Sequence, residues 1–104
     1  MELVILKALF ARPMYGHSIA RWIEQLTDGV VQVEAGSLYP ALRRLETRGF
    51  VVGQQGVSSA RRRVREYMIT ATGRAHLVAQ AESWMVSSSA VQRVLVSERY
   101  QRPR

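Results

Sequence analysis

The 104-residue chain contains no cysteine and only two histidines. The absence of cysteine excludes disulfides, thiolate nucleophiles and cysteine-ligated zinc, and with them zinc fingers and thiol enzymes. His17 and His76 have no acidic or histidine partner at metal-ligand spacing, so we interpret both as surface residues. The sequence therefore predicts neither a metal site nor a cofactor.

Long apolar runs are also missing. No stretch approaches the roughly 18 consecutive apolar residues of a membrane-spanning helix. Residues 1–13 lack the basic leading region and the small-residue cleavage site of a signal peptide, so we expect a cytoplasmic chain. Nucleophile-elbow, phosphate-loop and dinucleotide-binding motifs are absent as well, and an enzyme is not expected. Apolar residues make up 47% of the chain, which is typical of a folded domain.

Negative charge is scarce: 8 acidic residues stand against 15 basic ones, for a net charge of +7. Lys7 is the only lysine, and the other 14 cations are arginines. Residues 36–65 carry seven arginines and one glutamate, a net charge of +6. Because the planar guanidinium matches phosphates and guanine edges, this segment favours a nucleic-acid partner. The alternative is a basic surface that only keeps the protein in solution.

Two helices are predicted near the start of the chain. Residues 2–11 are apolar almost all round, which predicts a helix covered on most sides by the core or by a second chain. Residues 16–27 form the second predicted helix. Its apolar residues recur at the spacing of one buried stripe, Ile19, Trp22, Ile23 and Leu26. Residues 30–33 then read as a short strand or an extended link.

A third helix is predicted from Ser37, whose hydroxyl can cap its first turn, to Arg48. Three leucines mark its buried side, and Gly49 ends it. The opposite side is polar and basic, with one aromatic ring, and carries Ser37, Tyr39, Pro40, Arg43, Arg44 and Thr47. This outward face is the candidate surface for contacts with nucleic acid.

Residues 50–52 and 64–70 alternate in the manner of strands, which predicts a β-hairpin. Between them, residues 53–63 are rich in glycine and serine and end in three consecutive arginines, Arg61 to Arg63. We therefore expect a long, flexible and basic hairpin tip.

Thr70 is the predicted cap of a final helix that runs to about residue 96. Its seam residues are spaced 4, 3, 4, 3 and 4 apart, and they are Leu77, Ala81, Trp84, Ser88, Val91 and Leu95. This period of 3.5 residues is what two helices bury between them. The alternative is an amphipathic helix folded back on its own domain. Residues 87–89, all serine, mark a place where the helix can bend.

The order of these elements predicts a mainly α fold with a small β-hairpin wing, a winged helix-turn-helix followed by a C-terminal dimerisation helix. In such a fold an exposed helix enters the major groove while the wing contacts neighbouring phosphates. We expect a DNA-binding domain over residues 1–70, a dimerisation helix over 71–98 and a disordered tail over 99–104.

Three stretches carry a family resemblance: PMYGHSI at 13–19, GSLYPALRRLETRG at 36–49, and REYMIT at 65–70 with Gly73. They resemble the PadR family of bacterial transcriptional regulators, in the subgroup with one short C-terminal helix. The resemblance implies a homodimer, in which the terminal helix packs on the partner's N-terminal helix, that represses transcription at a near-palindromic operator. Thr72 departs from the family pattern, which usually has an acidic residue before that glycine, and the chain starts unusually close to its first helix.

The resemblance also implies site residues. Ser37, Tyr39 and Arg43 match positions that contact DNA, Tyr15 matches one near the DNA backbone, and residues 61–63 fall in the wing. The full set of candidate DNA contacts is Tyr15, Ser37, Tyr39, Pro40, Arg43, Arg44, Arg61, Arg62 and Arg63. The candidate dimer contacts are Leu3, Leu6, Leu77, Ala81, Trp84, Met85, Val91 and Leu95.

In some relatives an aromatic residue on the last helix lines an interface pocket for flat, apolar effectors. Trp84 with Met85 suits such a pocket, and the alternative is a tryptophan packed in the dimer seam. Two other functions stay open for the whole chain: a winged-helix adaptor that binds proteins, and a double-stranded RNA binder. The sequence does not distinguish a repressor from an activator, and it names neither the operator nor the regulated genes.

Overall fold

The computed structural model describes residues 1–57 and 59–98. Along the chain it contains α1 (Glu2–Ala11), β1 (Met14–Tyr15), α2 (Gly16–Leu26), α3 (Ala35–Thr47), β2 (Val51–Val57), β3 (Arg63–Ile69) and α4 (Ala71–Leu95). This is the predicted winged helix with a C-terminal helix. The predicted tail, residues 99–104, lies outside the described residues. Within the described part of the chain, no helix is both long and apolar enough to cross a membrane.

The core lies where α1, α2 and α3 meet the sheet. Its largest fully buried side chains come from all three helices and from β2, and they are Ile5, Leu6, Leu9, Ile19, Ile23, Leu38, Leu42, Leu45 and Val51. Each such side chain contributes about 1.5 to 3 kcal/mol through burial. The prediction of a buried stripe on α2 is wrong for one residue, because Leu26, in the last turn, is 63% exposed.

α3 begins two residues earlier than predicted, at Ala35 with Glu34 before it. The Ser37 amide donates to the Glu34 carbonyl at 3.0 Å, so Ser37 lies within the first turn and is not its cap. Pro40 then falls in the second turn, where it lacks an N–H that a helix would use. The predicted end is confirmed: Gly49 has φ +79°, a left-handed conformation that favours glycine.

The sheet has three antiparallel strands in the order β1-β3-β2. β2 and β3 pair from Val51↔Ile69 to Val57↔Arg63, so the strands take up most of the segment predicted to be a flexible tip. β1, which pairs Met14 with Tyr67, was not predicted because two residues carry no periodicity. Residues 30–33 form no strand.

α4 starts at the predicted cap, where the Thr70 hydroxyl accepts a hydrogen bond from the Gly73 amide at 3.0 Å. The helix continues without interruption through the serines at 87–89. Leu77 is its last buried residue. The molecule measures 64 × 28 × 23 Å with a radius of gyration of 17.4 Å. A compact chain of this length would have about 13 Å, so the outer part of α4 extends away from the body.

Candidate nucleic-acid interface

α3 presents the polar side predicted for it. Leu38 and Leu42 are fully buried, whereas Ser37, Pro40 and Arg43 are exposed. The 100° turn per residue of a helix separates these two sets. The outward side is therefore open to a partner along the length of the helix.

Tyr39 lies on this side and is 44% exposed. Its ring passes close to Gly16, the first residue of α2: a Cβ atom on Gly16 would lie 2.7 Å from both Cε1 and Oη of Tyr39. Because glycine has no side chain, the Tyr39 ring can pack directly against the backbone at the start of α2. The Tyr15 ring stacks on His17 beside it, with the ring centroids 6.0 Å apart.

One hollow of about 330 Å³ brings three sequence-predicted residues together, one each from β1, α3 and the wing. Its lining is Tyr15, Gly16, His17, Tyr39, Gln55, Arg63, Val64 and Arg65. A second hollow of about 380 Å³ adjoins it through Tyr39 and Arg65 and also includes Arg43. Four of the predicted contacts, Tyr15, Tyr39, Arg43 and Arg63, thus lie on one continuous surface.

Arg65 and Glu46 were not predicted as site residues. The Arg65 Nη2 atom lies 2.7 Å from Glu46 Oε2, and its Nε lies 3.3 Å from Oε1. This hydrogen bond to Glu46 raises the pKa of the Arg65 guanidinium. Tyr67 lies beside the pair in the second hollow, and burial raises the pKa of its hydroxyl.

Arg44 is held toward α1 rather than toward the wing. Its Nε donates to Glu2 Oε1 at 2.9 Å, and Arg48 Nη1 lies 3.9 Å from the other oxygen of the same carboxylate. Arg43, Arg44 and Arg48 line a further hollow of about 500 Å³ with Glu2 and Thr47. The predicted contact Arg44 therefore lies at the edge of the basic surface, with its charge compensated.

The three wing arginines, Arg61 to Arg63, are exposed as expected. Arg61 has φ +59°, a left-handed conformation that residues other than glycine, asparagine and aspartate rarely adopt. The chain turns there from the hairpin tip into β3. This turn places the basic run at the end of the wing.

The candidate dimer residues separate into three groups by exposure. Leu6 and Leu77 are buried in their own chain, with 1% and 4% of their surface exposed, and have almost none left for a partner. Leu3 and Ala81 are half-buried. The remaining four are more than half exposed on α4, and they are Trp84, Met85, Val91 and Leu95.

Between α1 and α4 lies a groove of about 310 Å³. Trp84 lines it together with Leu3, Leu6 and Glu2, whereas Met85 does not belong to its lining. His76, at the other end of the groove, is half-buried and stacks on Phe50 with 4.2 Å between the ring centroids. His17 is exposed, as predicted.

Three helices with an exposed third helix, followed by a hairpin with a basic end, define the winged helix-turn-helix class. A family model described as the Transcriptional regulator PadR-like family matches residues 5–79. The chain belongs to this family and is a transcriptional regulator with a DNA-binding fold. Family membership also confirms the prediction that it is not an enzyme.

Two similar solved structures agree with this assignment, and a further similar protein has no assigned function. An uncharacterised protein from Lysinibacillus sphaericus is 26% identical over 84 residues, which cover 81% of this chain and 77% of that protein. A transcriptional regulator from Clostridium thermocellum is 26% identical, with a TM-score of 0.81 over 89% of this chain and 90% of that one. A PadR-like transcriptional regulator from Bacillus cereus is 27% identical, with a TM-score of 0.77 over 93% of this chain and 92% of that one.

The fold is shared more widely. Bacillus subtilis PadR, solved in complex with operator DNA, is 17% identical with a TM-score of 0.68. The match covers 99% of this chain and 50% of that one. At this identity the likeness shows the common fold.

Proposed function

We propose that the chain binds a near-palindromic operator as a homodimer and represses transcription in the cytoplasm of a bacterial cell. The observation that carries the proposal is the continuous surface formed by Tyr15, Tyr39, Arg43 and Arg63, which joins β1, α3 and the wing. A helix in the major groove with a wing on adjoining phosphates would use a surface of this composition.

Each part of this surface has a distinct role in the proposal. Arg43, exposed on α3, reads the O6 and N7 atoms of a guanine. Tyr39 places its hydroxyl on a phosphate or its ring on a thymine methyl group. The Ser37 hydroxyl contacts a phosphate, while its amide is already bonded to Glu34. The wing arginines, Arg61 to Arg63, bind phosphates without regard to sequence.

The main experiment is selection of bound sequences from random DNA, followed by titration of the recovered site at several salt concentrations. We expect a symmetric consensus whose half-sites are about one helical turn apart, bound with an affinity that falls steeply with salt. Equal binding to all duplexes, or a stronger preference for double-stranded RNA, would contradict the proposal.

Arg43→Ala tests whether Arg43 contacts a base directly. The variant should lose about 1 to 3 kcal/mol of operator binding and relax discrimination at one base pair of each half-site. Arg21→Ala is the matched control, because it removes the same charge from α2 at a hollow lined by none of the candidate contacts. A loss for Arg43→Ala that is the same on every sequence would reassign Arg43 to phosphate binding. A loss no larger than that of Arg21→Ala would leave Arg43 with a long-range charge effect alone.

The homodimer is proposed from the exposed apolar side of α4. Trp84, Met85, Val91 and Leu95 leave an apolar surface exposed on α4, and Leu3 of α1 lines the groove together with Trp84. Packing of two copies would bury this seam, since a 3.5-residue spacing is typical of residues that two helices bury between them.

Trp84→Ala should weaken this dimer at least tenfold, since a large aromatic anchor dominates such contacts. Val86→Ala is the control, because Val86 lies about 200° around the same helix and is equally exposed. Sedimentation across a concentration series measures both. A Trp84→Ala protein that stays dimeric at nanomolar concentration would rule out the seam.

A small, flat, apolar effector is part of the proposal, with the groove beside Trp84 as its site. The groove supports Trp84 as a contact but gives no support to Met85, which does not line it. Quenching by such a compound of the fluorescence of a Trp22→Phe variant, whose one tryptophan is Trp84, together with release of the operator, would support this role. Quenching without release of the operator would show that the compound binds the groove but does not regulate DNA binding.

A further inference from the structure

The pair of Glu46 and Arg65 joins α3, the helix proposed to read the DNA bases, to the wing. Glu46 is in the last turn of α3 and Arg65 in the middle of β3, 19 residues apart in sequence. Two nearly parallel N–H···O bonds, at 2.7 and 3.3 Å, connect the guanidinium to the carboxylate. A two-point bond of this kind sets an orientation as well as a distance.

Gly53 of β2 provides the space for this arrangement. It pairs with Tyr67, so it lies diagonally across the ladder from Arg65. A Cβ atom on Gly53 would collide with Arg65 Nε and lie 2.9 Å from its Cζ. The guanidinium therefore rests directly on the strand backbone, and any side chain at position 53 would displace it.

The electrostatics of the pair also point to a geometric role. Glu46 lies near the C-terminal end of a helix, where the helix dipole disfavours a carboxylate, and on the surface proposed to meet phosphates. Arg65 compensates that charge and is in turn neutralised by it. Its contribution to long-range attraction of DNA is correspondingly small.

We propose that Glu46, Arg65 and Gly53 form a clamp that fixes the wing relative to α3, and that Arg65 is a positioning residue for operator recognition. The clamp lies next to Tyr39 and Arg43, which line the same hollow. A wing held in place makes its phosphate contacts only when α3 is seated in register, and this coupling raises the preference for the operator over other DNA. The inference rests on the proposed function.

The rival role is that Arg65 binds a phosphate and that Glu46 merely masks it. Glu46→Gln separates the two, because it adds one unit of positive charge and weakens the two-point bond. A clamp predicts that the ratio of operator affinity to non-operator affinity falls by roughly threefold to tenfold, even though all DNA is attracted more strongly. A masked phosphate contact predicts tighter operator binding with the ratio unchanged or higher, and that result would overturn the proposal.

Gly53→Ala tests the same clamp with no change of charge. Because the colliding atoms belong to the far end of a flexible side chain, the strand can keep its fold while Arg65 is displaced. The affinity ratio should fall as it does in Glu46→Gln. Gly56→Ala, on the same strand, is the control, since its new methyl group meets only Val64 Cγ2 at 4.0 Å. Arg65→Lys keeps the charge without the planar fork and should lower the ratio too.

Hydrogen exchange on the DNA-free protein provides a second readout. Amides of β2 and β3 should exchange faster in Gly53→Ala and Glu46→Gln than in wild type. Their exchange rates in Gly56→Ala should equal those of wild type. Unaltered exchange in the first two variants would refute the clamp whether or not DNA is bound. Wild-type protein without any sequence preference would instead refute the proposed function, and the exchange result would still decide on the clamp.

Discussion

The body of the molecule and the outer part of α4 are both rich in apolar residues, yet they differ in what covers them. In the body, Ile5, Leu42 and Leu45 have no exposed surface. Beyond Leu77, every α4 residue through Leu95 is exposed or half-buried, and Trp84 is 62% exposed. The difference comes from neighbours rather than composition. One region is stabilised within its own chain, whereas the other presents a surface for which we propose a second copy.

Truncating one leucine in each region gives the largest contrast. Leu42→Ala should lower the free energy of unfolding by about 2 to 5 kcal/mol, since it empties a fully packed site. The loss should not depend on protein concentration. Leu95→Ala, at a residue 76% exposed, should lower the melting temperature only where the protein is dimeric. Equal, concentration-independent losses in thermal melts would erase the distinction between the regions.

The junction between the regions is tested next by Gly73→Ala. A methyl group at Gly73 would collide with the backbone carbonyl oxygen of Phe50, which cannot rotate away. We expect a loss of about 1 to 3 kcal/mol in chemical denaturation. Gly36→Ala is the control, because the space around Gly36 in α3 is open and alanine favours a helix. A Gly73→Ala protein as stable as wild type would show that α4 is not seated tightly on the body.

Loss of the α4 cap should have the smallest effect. The Thr70 hydroxyl accepts from the Gly73 amide and donates to the Gly49 carbonyl at 2.7 Å, so Thr70→Ala removes both bonds. We expect a loss of about 1 kcal/mol. Thr72→Ala, two residues further on and exposed, should change stability by less than about 0.5 kcal/mol. Circular dichroism of both variants measures the difference.

Features that depend on residues close in sequence were predicted well. The burial of the α3 leucines, the end of that helix at Gly49 and the start of α4 at Thr70 each depend on neighbours a few positions away. The periodicity of a helix and the chemistry of its caps are local properties. The same holds for the outward side of α3, which supplied most of the predicted site.

Features that depend on distant residues were missed. The pairing of β1 with β3, and the ion pairs that Glu2 and Glu46 make with arginines, join segments 19 to more than 40 residues apart. Composition alone does not show that Arg44 and Arg65 each have a carboxylate partner. The sequence predicts a start of α3 that is two residues too late, because serine is a favoured N-cap residue. In the structure Glu34 is the residue that precedes the helix.

The unbroken course of α4 has a consequence for how this protein can change over time. Each residue added to a helix advances it by about 1.5 Å and turns it by about 100°. One residue inserted between Leu77 and Trp84 would therefore rotate the whole outer apolar stripe away from its present direction while leaving the body intact. The number of residues in that stretch therefore sets the direction of the stripe. Insertions or deletions of seven residues, which are close to two full turns, nearly restore that direction.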